Sequence, residues 1–174
     1  MPFAYYQRLN KSDRAVYDRS DRIVRLELPA AEGLRPIVGI LSQGLARDDR
    51  RVVEAACNRL ALGITTSMEV EPVRVSVLAV RPRLRAAELH GLYTRDGRET
   101  PRIRVWMRTV AHRRVVAFRT FLRTLLHEIC HHLDYTHLQM PESFHTEGFF
   151  KRESSLFHQL VPRIDINGGP PASS

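Results

Sequence analysis

The sequence feature that most limits the possible folds is the pattern His-Glu-x-x-His, which occurs at His127, Glu128 and His131. Residues four apart lie on one face of an α-helix, so the two imidazoles can converge on a single ion. Glu128 would lie on the flank of that face, where it can reach a metal-bound water without being a ligand. Apolar residues recur around the motif at helical spacing, and neither Pro nor Gly occurs between Arg113 and Met140. The pattern therefore predicts a buried helix that carries a metal site.

Zinc is the ion that this pattern favours, because neutral imidazole nitrogens and a tetrahedral site with one open position suit it. We expect one zinc ion (Zn2+) per chain, held by the two motif histidines and by a third ligand further along the chain. Pro141 ends the predicted helix, and His145 lies in the turn-prone segment that follows, where it can fold back over the ion. The alternative third ligand is Glu153, which a short helix over residues 148–160 would present to the metal.

Asp134 follows His131 by three residues and therefore stays on the metal face of the helix. We expect it to accept a ring N–H from a ligating histidine rather than to bind the ion. Glu128 would act as general base on a zinc-activated water and pass the proton to the leaving amine. An electrophilic partner would come from a set of residues among which the sequence does not choose: His132, Tyr135, His137, Arg152 and His158.

The segment His127-Glu-Ile-Cys-His131, followed by His145-Thr-Glu-Gly-Phe149-Phe-Lys151, resembles the paired motifs of the SprT-like (Spartan-type) zinc metalloproteases. In that family the pattern H-E-x-C-H precedes an H-G-x-x-F/W-K-like segment, whose histidine is the third ligand. Over residues 40–160 the resemblance implies a minimal zincin with Glu128 as general base, a protein or peptide substrate, and three zinc ligands: His127, His131 and His145. The chain departs from the family at Thr146, where relatives carry Gly. The 174 residues also contain only two cysteines, Cys57 and Cys130, so we expect no zinc ribbon like that of many relatives within them.

The remaining patterns predict an α+β fold in which most of the chain forms one small zincin-like domain. Residues 1–36 are predicted to be an N-terminal extension, or arm, with a short helix over 12–18 and a weakly alternating stretch over 23–28. The domain over residues 37–165 would contain, in order, a helix over 37–62 that Gly63 ends, strands over 73–80, 88–94 and 102–109, the metal-binding helix and a short C-terminal helix. Residues 166–174 are expected to be a disordered tail.

The third predicted strand has two candidate functions. Its apolar residues Ile103, Val105 and Met107 alternate with a face that carries Arg104, Trp106 and Arg108. The resemblance implies that this strand lies at the edge of the sheet, where an extended peptide adds to it by backbone hydrogen bonds. Alternatively, the two arginines would follow a phosphate backbone while the indole stacks on a base.

The formal net charge of +8 and the sequence pI of about 10.3 raise the hypothesis that the chain contacts DNA or RNA through phosphates, although charge alone is a weak discriminator. Of the 27 cationic residues only Lys11 and Lys151 are lysines, so the alternative is an arginine-rich composition spread over a solvated surface. The competing function is a basic DNA-binding protein with a structural or residual zinc site. Glu128 argues against a purely structural site, because such sites fill all four positions with ligands.

Length and composition are those of an ordinary globular protein. The 174 residues suffice for one domain with its own hydrophobic core, and 43% of them are hydrophobic. No apolar run approaches membrane-spanning length, and the first residues lack a basic segment followed by an apolar stretch. We therefore expect a cytoplasmic protein that does not bind membranes, with both cysteines reduced and buried.

Overall fold

The computed structural model describes residues 2–80, 91–109 and 112–162. Within these ranges a 3₁₀ helix over Ala4–Arg8 precedes three α-helices, three strands and two further α-helices. The bounds are α1 Lys11–Arg22, α2 Ala31–Ala46, α3 Arg50–Ser67, β1 Arg74–Val80, β2 Gly91–Thr94, β3 Arg102–Arg108, α4 Phe118–Thr136 and α5 Glu147–Leu160. The predicted α+β fold is therefore confirmed. The predicted tail over 166–174 and residues 88–90 of the second predicted strand lie outside the described residues.

The N-terminal segment packs into the same core as the rest of the chain. Asn10 caps α1 by accepting a backbone hydrogen bond in the first turn, and Tyr17 of this helix is buried. The predicted boundary at residue 36 falls inside α2, which contains Pro36. Burial of the apolar face of α2 against α3 and α5 outweighs the helix-breaking tendency of Pro36.

A sharp turn divides the single helix predicted over residues 37–62 into α2 and α3. Asp48 adopts a left-handed backbone conformation with φ of 54°, and Asp49 caps α3 by accepting hydrogen bonds from two backbone N–H groups. The prediction that Gly63 ends the helix is wrong, because this residue lies within α3. A Cβ at this position would lie 2.3 Å from the Leu34 side chain of α2, so glycine allows the two helices to pack closely.

The three strands form one sheet in the order β1-β3-β2, with β1 parallel and β2 antiparallel to β3. The alternation predicted for β3 is confirmed on its apolar face, since Ile103, Val105 and Met107 are buried in the core. Its predicted edge position is wrong, because β3 lies between the other two described strands. Among the described strands, β2 is the antiparallel strand at an edge, and it packs against α4.

Helix α4 is the buried helix predicted from the spacing of apolar residues, but it starts later than the apolar pattern does. Val115 and Val116 precede the helix, and Val115 forms an isolated bridge with Arg108 of β3. One side of α4 packs against β2 and β3, and α5 packs against it as well, so the His-Glu-x-x-His motif lies between the sheet and the last helix. Neither α4 nor any other helix in the described part of the chain has the length and apolarity needed to cross a bilayer.

Both cysteines are buried free thiols, as predicted. Cys57 lies on α3 and Cys130 lies on α4, inside the motif. Burial raises the pKa of both thiols, and neither belongs to the group of possible metal ligands found among the described residues. The two cysteines therefore contribute to the apolar core.

Candidate metal centre

Three histidine side chains converge where α4 meets the turn that precedes α5. His127 and His131 lie one turn apart on α4, and His145 comes from the turn. The Nε2 atom of His145 lies 3.0 Å from Nε2 of His127 and 3.0 Å from Nε2 of His131. One ligand atom from each of the three residues lies within 4.8 Å of the other two, so the cluster can hold one metal ion. The structure thus brings together the three residues predicted as ligands.

Hydrogen bonds on the far side of two rings determine which nitrogen atoms carry protons. Nδ1 of His127 lies 3.1 Å from a carboxylate oxygen of Glu153, which can only accept, so this Nδ1 donates. Nδ1 of His131 lies 2.7 Å from Oγ of Ser143, whose own hydrogen is donated to Asp134 at 2.8 Å, so this Nδ1 also donates. In the neutral rings both Nε2 atoms are therefore unprotonated, and their lone pairs face the third ring.

This arrangement fits a cation better than a cluster held by hydrogen bonds. A single proton on Nε2 of His145 satisfies only one of the two lone pairs that face it at 3.0 Å. A divalent metal ion accepts all three lone pairs at once. Burial lowers the pKa of His131 to about 3 and lowers the pKa of His145, and the neighbouring histidines add to both effects. These two rings are therefore in the neutral form that binds metals.

The two carboxylates predicted near the ion lie behind the histidines rather than among them. Glu153, the alternative third ligand, contacts Nδ1 of His127 and is not one of the three clustered donors. The predicted contact of Asp134 with a ring nitrogen is wrong, because the hydroxyl of Ser143 lies between Asp134 and His131. Groups in such positions orient the imidazole rings and make them stronger ligands. Sequence reasoning missed Ser143, although it lies in the same turn as the third histidine.

Phe149 forms an apolar floor under the cluster. Its ring centroid lies 4.9, 4.7 and 5.2 Å from the centroids of the three imidazole rings. Thr146, which stands where the resembled motif has Gly, caps α5 by accepting a hydrogen bond from the backbone N–H of Phe149 at 2.9 Å. The interaction that starts α5 therefore also positions Phe149 against the rings.

The N-terminal segment supports the turn that carries His145. The hydroxyl of Tyr5 donates a hydrogen bond to the backbone carbonyl of His145 at 2.7 Å. Burial raises the pKa of Tyr5 to about 12, so the phenol keeps its proton at neutral pH. The ring of Tyr17 on α1 lies 5.8 Å from that of Tyr5 and 6.2 Å from that of Phe144 in the turn, centroid to centroid. Residues before α1 are therefore part of the framework of the site.

A buried ion pair connects the metal cluster to α1. Arg152 of α5 is fully buried and donates to both carboxylate oxygens of Asp134 at 2.9 and 3.1 Å. The same guanidinium donates to the backbone carbonyls of Ser20 and Ile23 at 2.7 and 2.6 Å. Arg152 is enclosed by these partners, so it is not available as the electrophile for which it was a candidate. Its role depends on contacts with residues at the end of α1. These contacts cannot be predicted from a local sequence pattern, because the segments are distant in sequence.

Replacing Arg152 by Met is expected to lower the free energy of unfolding by about 3–5 kcal/mol, because the carboxylate of Asp134 would stay buried without its partner. Chemical denaturation measures the difference. The control is Arg102→Ala, which removes a surface ion pair with Glu99 and should cost less than about 1 kcal/mol. Adding Asp134→Leu to Arg152→Met should recover part of the loss. If Arg152→Met lowered the free energy of unfolding as little as Arg102→Ala does, the structural role of Arg152 would be contradicted.

Glu128 is buried against the backbone of β2. A Cβ at Gly91 would lie 2.6 Å from Oε1 of Glu128, so β2 closely covers the carboxylate. Burial raises the pKa of Glu128 to about 7, while the neighbouring His127 and a backbone hydrogen bond at Tyr93 oppose the increase. Glu128 is not among the three clustered donors. A carboxyl group of this kind can exchange protons near neutral pH. Sequence reasoning missed Gly91, whose importance is visible only in this contact.

The strand residues predicted to follow a nucleic acid do not form one open surface. Trp106 is only 7% exposed, which contradicts the interpretation that its indole stacks on a base. Arg108 is paired with Asp48 and donates to the backbone carbonyl of Arg113 at 2.9 Å. Arg104 is the exposed member of the predicted set. Because β3 is central and Trp106 is buried, this strand offers neither of the two binding modes predicted for it.

Comparison with known proteins identifies no relative of this chain. No protein-family model matches it, and no curated protein or solved structure gives a significant match. The resemblance to the SprT-like family therefore stays a prediction.

Proposed function

We propose that this protein is a zinc-dependent metallopeptidase with a minimal zincin domain of the SprT-like type. The observation that carries the proposal is the convergence of three imidazole Nε2 atoms close to a buried glutamate that is not a member of the cluster. His127, His131 and His145 would hold one zinc ion, because three nitrogen donors and one open position are typical of catalytic zinc. A structural zinc site uses a fourth protein ligand, and the described residues supply three donors to this cluster.

The residues around the cluster have the properties that peptide hydrolysis requires. When bound, zinc would supply Lewis-acid activation of the scissile carbonyl group and of a water molecule. Glu128 would accept a proton from the water at its carboxylate and deliver it to the nitrogen of the leaving amine. Without bound metal, burial raises its pKa to about 7, which brings proton exchange at this carboxylate within reach of neutral pH. Glu153 and Ser143 would keep two of the imidazole rings in their orientation by accepting their Nδ1 protons.

An extended peptide substrate would add to β2 rather than to β3. β2 lies at an edge of the described sheet, and a sheet edge is where an extended peptide adds by backbone hydrogen bonds. Its backbone also meets the general base, through the contact of Gly91 with Glu128 and the hydrogen bond at Tyr93. A peptide paired with this edge would bring its own carbonyl groups close to Glu128.

Replacing Gly91 by Ala is expected to slow hydrolysis roughly 100-fold without loss of bound metal. The added methyl group would meet Oε1 of Glu128 at 2.6 Å, and the flexible carboxylate would move while the backbone stays folded. The rate of digestion and the metal content of the purified protein measure the two effects. Gly39→Ala is the matched control, because a Cβ there has open space around it. A Gly91→Ala variant with the unaltered rate would show that the position of Glu128 has no influence on the reaction.

Digestion of an unfolded protein such as casein tests the proposed function. We expect fragments to accumulate when zinc is present and none to form after a chelator has removed it. The same assay with and without single-stranded DNA tests whether the basic charge of the chain couples hydrolysis to nucleic acid. Salt-sensitive DNA binding by a protein that digests nothing would instead support the DNA-binding alternative.

A further inference from the structure

Two exposed phenylalanine rings lie next to the candidate metal centre. Phe150 is 41% and Phe3 is 40% exposed, and their centroids are 6.2 Å apart in an edge-on arrangement. The ring of Phe150 also stacks on His145 at a centroid distance of 5.8 Å and lies 6.0 Å from the ring of His127. Adjacent large apolar side chains that stay open to water often mark a binding surface. The pair therefore makes the edge of the metal centre apolar on this side.

The two rings form one end of an open groove along α5. A depression of about 510 Å³ is lined by Phe3, Phe150 and polar residues of α5, among them Lys151, Ser155 and His158. A second depression of about 460 Å³ shares these three polar residues and adds Val24, which is 47% exposed. Because they share lining residues, the two depressions adjoin and form one shallow, open region of the surface, here called the α5 groove.

The wall that Phe3 provides is held in place by the rest of the protein. The backbone N–H of Phe3 donates to the hydroxyl of Tyr17 at 3.0 Å, and the ring of Phe3 stacks on Tyr5 at a centroid distance of 6.3 Å. Tyr5 in turn donates to the backbone carbonyl of His145. The wall of the α5 groove and the turn of the metal centre thus share one framework, and a preformed site binds at a lower entropic cost.

We propose that the α5 groove binds large apolar side chains of an extended polypeptide, next to the bond that is cleaved. This inference rests on the proposed peptidase function and names its substrate class, which is unfolded segments with aromatic or large aliphatic residues. Of the seven large apolar side chains exposed among the described residues, three line this groove: Phe3, Phe150 and Val24. The groove is also continuous with the metal centre, since the ring of Phe150 belongs to both.

The binding test uses zinc-loaded Glu128→Gln protein, so that bound peptides are not consumed. Its probes are two labelled Gly-Ser peptides that differ only at one central residue, Phe in one and Ala in the other. We expect the Phe peptide to bind at least about tenfold more tightly, as burial of an aromatic side chain implies. Phe3→Ala in the same background should remove most of this preference. Leu62→Ala is the control, because Leu62 is 56% exposed but lies on α3. Phe150→Leu, with its zinc content measured, provides a second variant of the groove.

The outcomes separate this inference from the peptidase function. A preference for Phe that Phe3→Ala removes would support the groove, even if the wild-type protein digested no casein and the peptidase function failed. Equal binding of the two peptides would overturn the groove while digestion of casein by the wild-type protein still supported a peptidase. Self-association of the protein that Phe3→Ala abolishes would also overturn it, since the groove would then join two copies of the chain.

Discussion

Replacing Glu128 by Gln is expected to slow peptide hydrolysis by about 10²–10⁴-fold, because the variant loses the group that accepts and delivers the proton. Gln has nearly the same size and fits the same space against Gly91, so the fold should be retained. The three imidazoles are unaltered, and the variant should bind zinc as tightly as the wild-type protein does. Rates of casein digestion, zinc stoichiometry and the thermal unfolding midpoint measure the three properties.

The matched control for this substitution is Glu142→Gln, which changes an exposed glutamate in the turn after α4. It removes an exposed carboxylate from the same region of the chain, so a general electrostatic effect of losing negative charge would appear in this variant as well. If Glu128→Gln digested casein at the wild-type rate, a different residue would have to act as general base. If both variants lost activity equally, the loss would come from charge and not from proton transfer.

Replacing His145 by Ala is expected to remove most of the bound zinc, since only two imidazoles would then face the ion. We expect zinc affinity to fall by more than the roughly 10–100-fold that is typical when a group behind the ligands is lost. Glu153→Gln tests such a group, because Glu153 contacts Nδ1 of His127. It should weaken zinc binding within that range while the stoichiometry stays at one. Competition with a chromogenic chelator measures both affinities.

His137→Ala is the control for the ligand series, since His137 is exposed and follows directly after α4. It should leave zinc affinity unchanged. The reverse result, in which Glu153→Gln abolishes zinc binding and His145→Ala does not, would make the site one of the glutamate-type zincins. Unchanged affinity in all variants would show that zinc binds elsewhere.

The part of the site that lies on α4 can be predicted from sequence because its geometry is local. A spacing of four residues places His127 and His131 on one face whatever the rest of the chain does. His145 required more, namely a predicted helix break and a motif resemblance, because a turn has no fixed period. The break itself was misplaced, since α4 ends at Thr136 and not at Pro141. The groups behind the rings are harder still to predict. A serine such as Ser143 is common in turns, and its residue type, unlike that of a carboxylate, does not suggest a role beside a metal ligand.

The sheet shows a different limit of sequence reasoning. Alternation along β3 indicates which residues face the core, but it does not indicate which strands lie beside β3. The parallel pairing of β1 with β3 leaves β2 at an edge of the described sheet, and this order depends on contacts between segments distant in sequence. The same limit explains Trp106 and Pro36. The periodic pattern placed Trp106 on an open face, and the helix-breaking propensity of Pro36 placed a boundary at that residue. Tertiary packing instead buries Trp106 and includes Pro36 in α2.

The hydrogen bond from the guanidinium of Arg152 to the backbone carbonyl of Ser20 joins residues 132 positions apart. During synthesis, α1 leaves the ribosome long before the guanidinium that will hold it has been made. Until then Asp134 lacks its buried counter-charge. The ring of His131, which Asp134 supports through Ser143, is therefore not yet held in place. A nascent chain that does not yet include Arg152 therefore lacks part of the framework of the metal centre, and under the proposed function it would not yet hydrolyse other polypeptides.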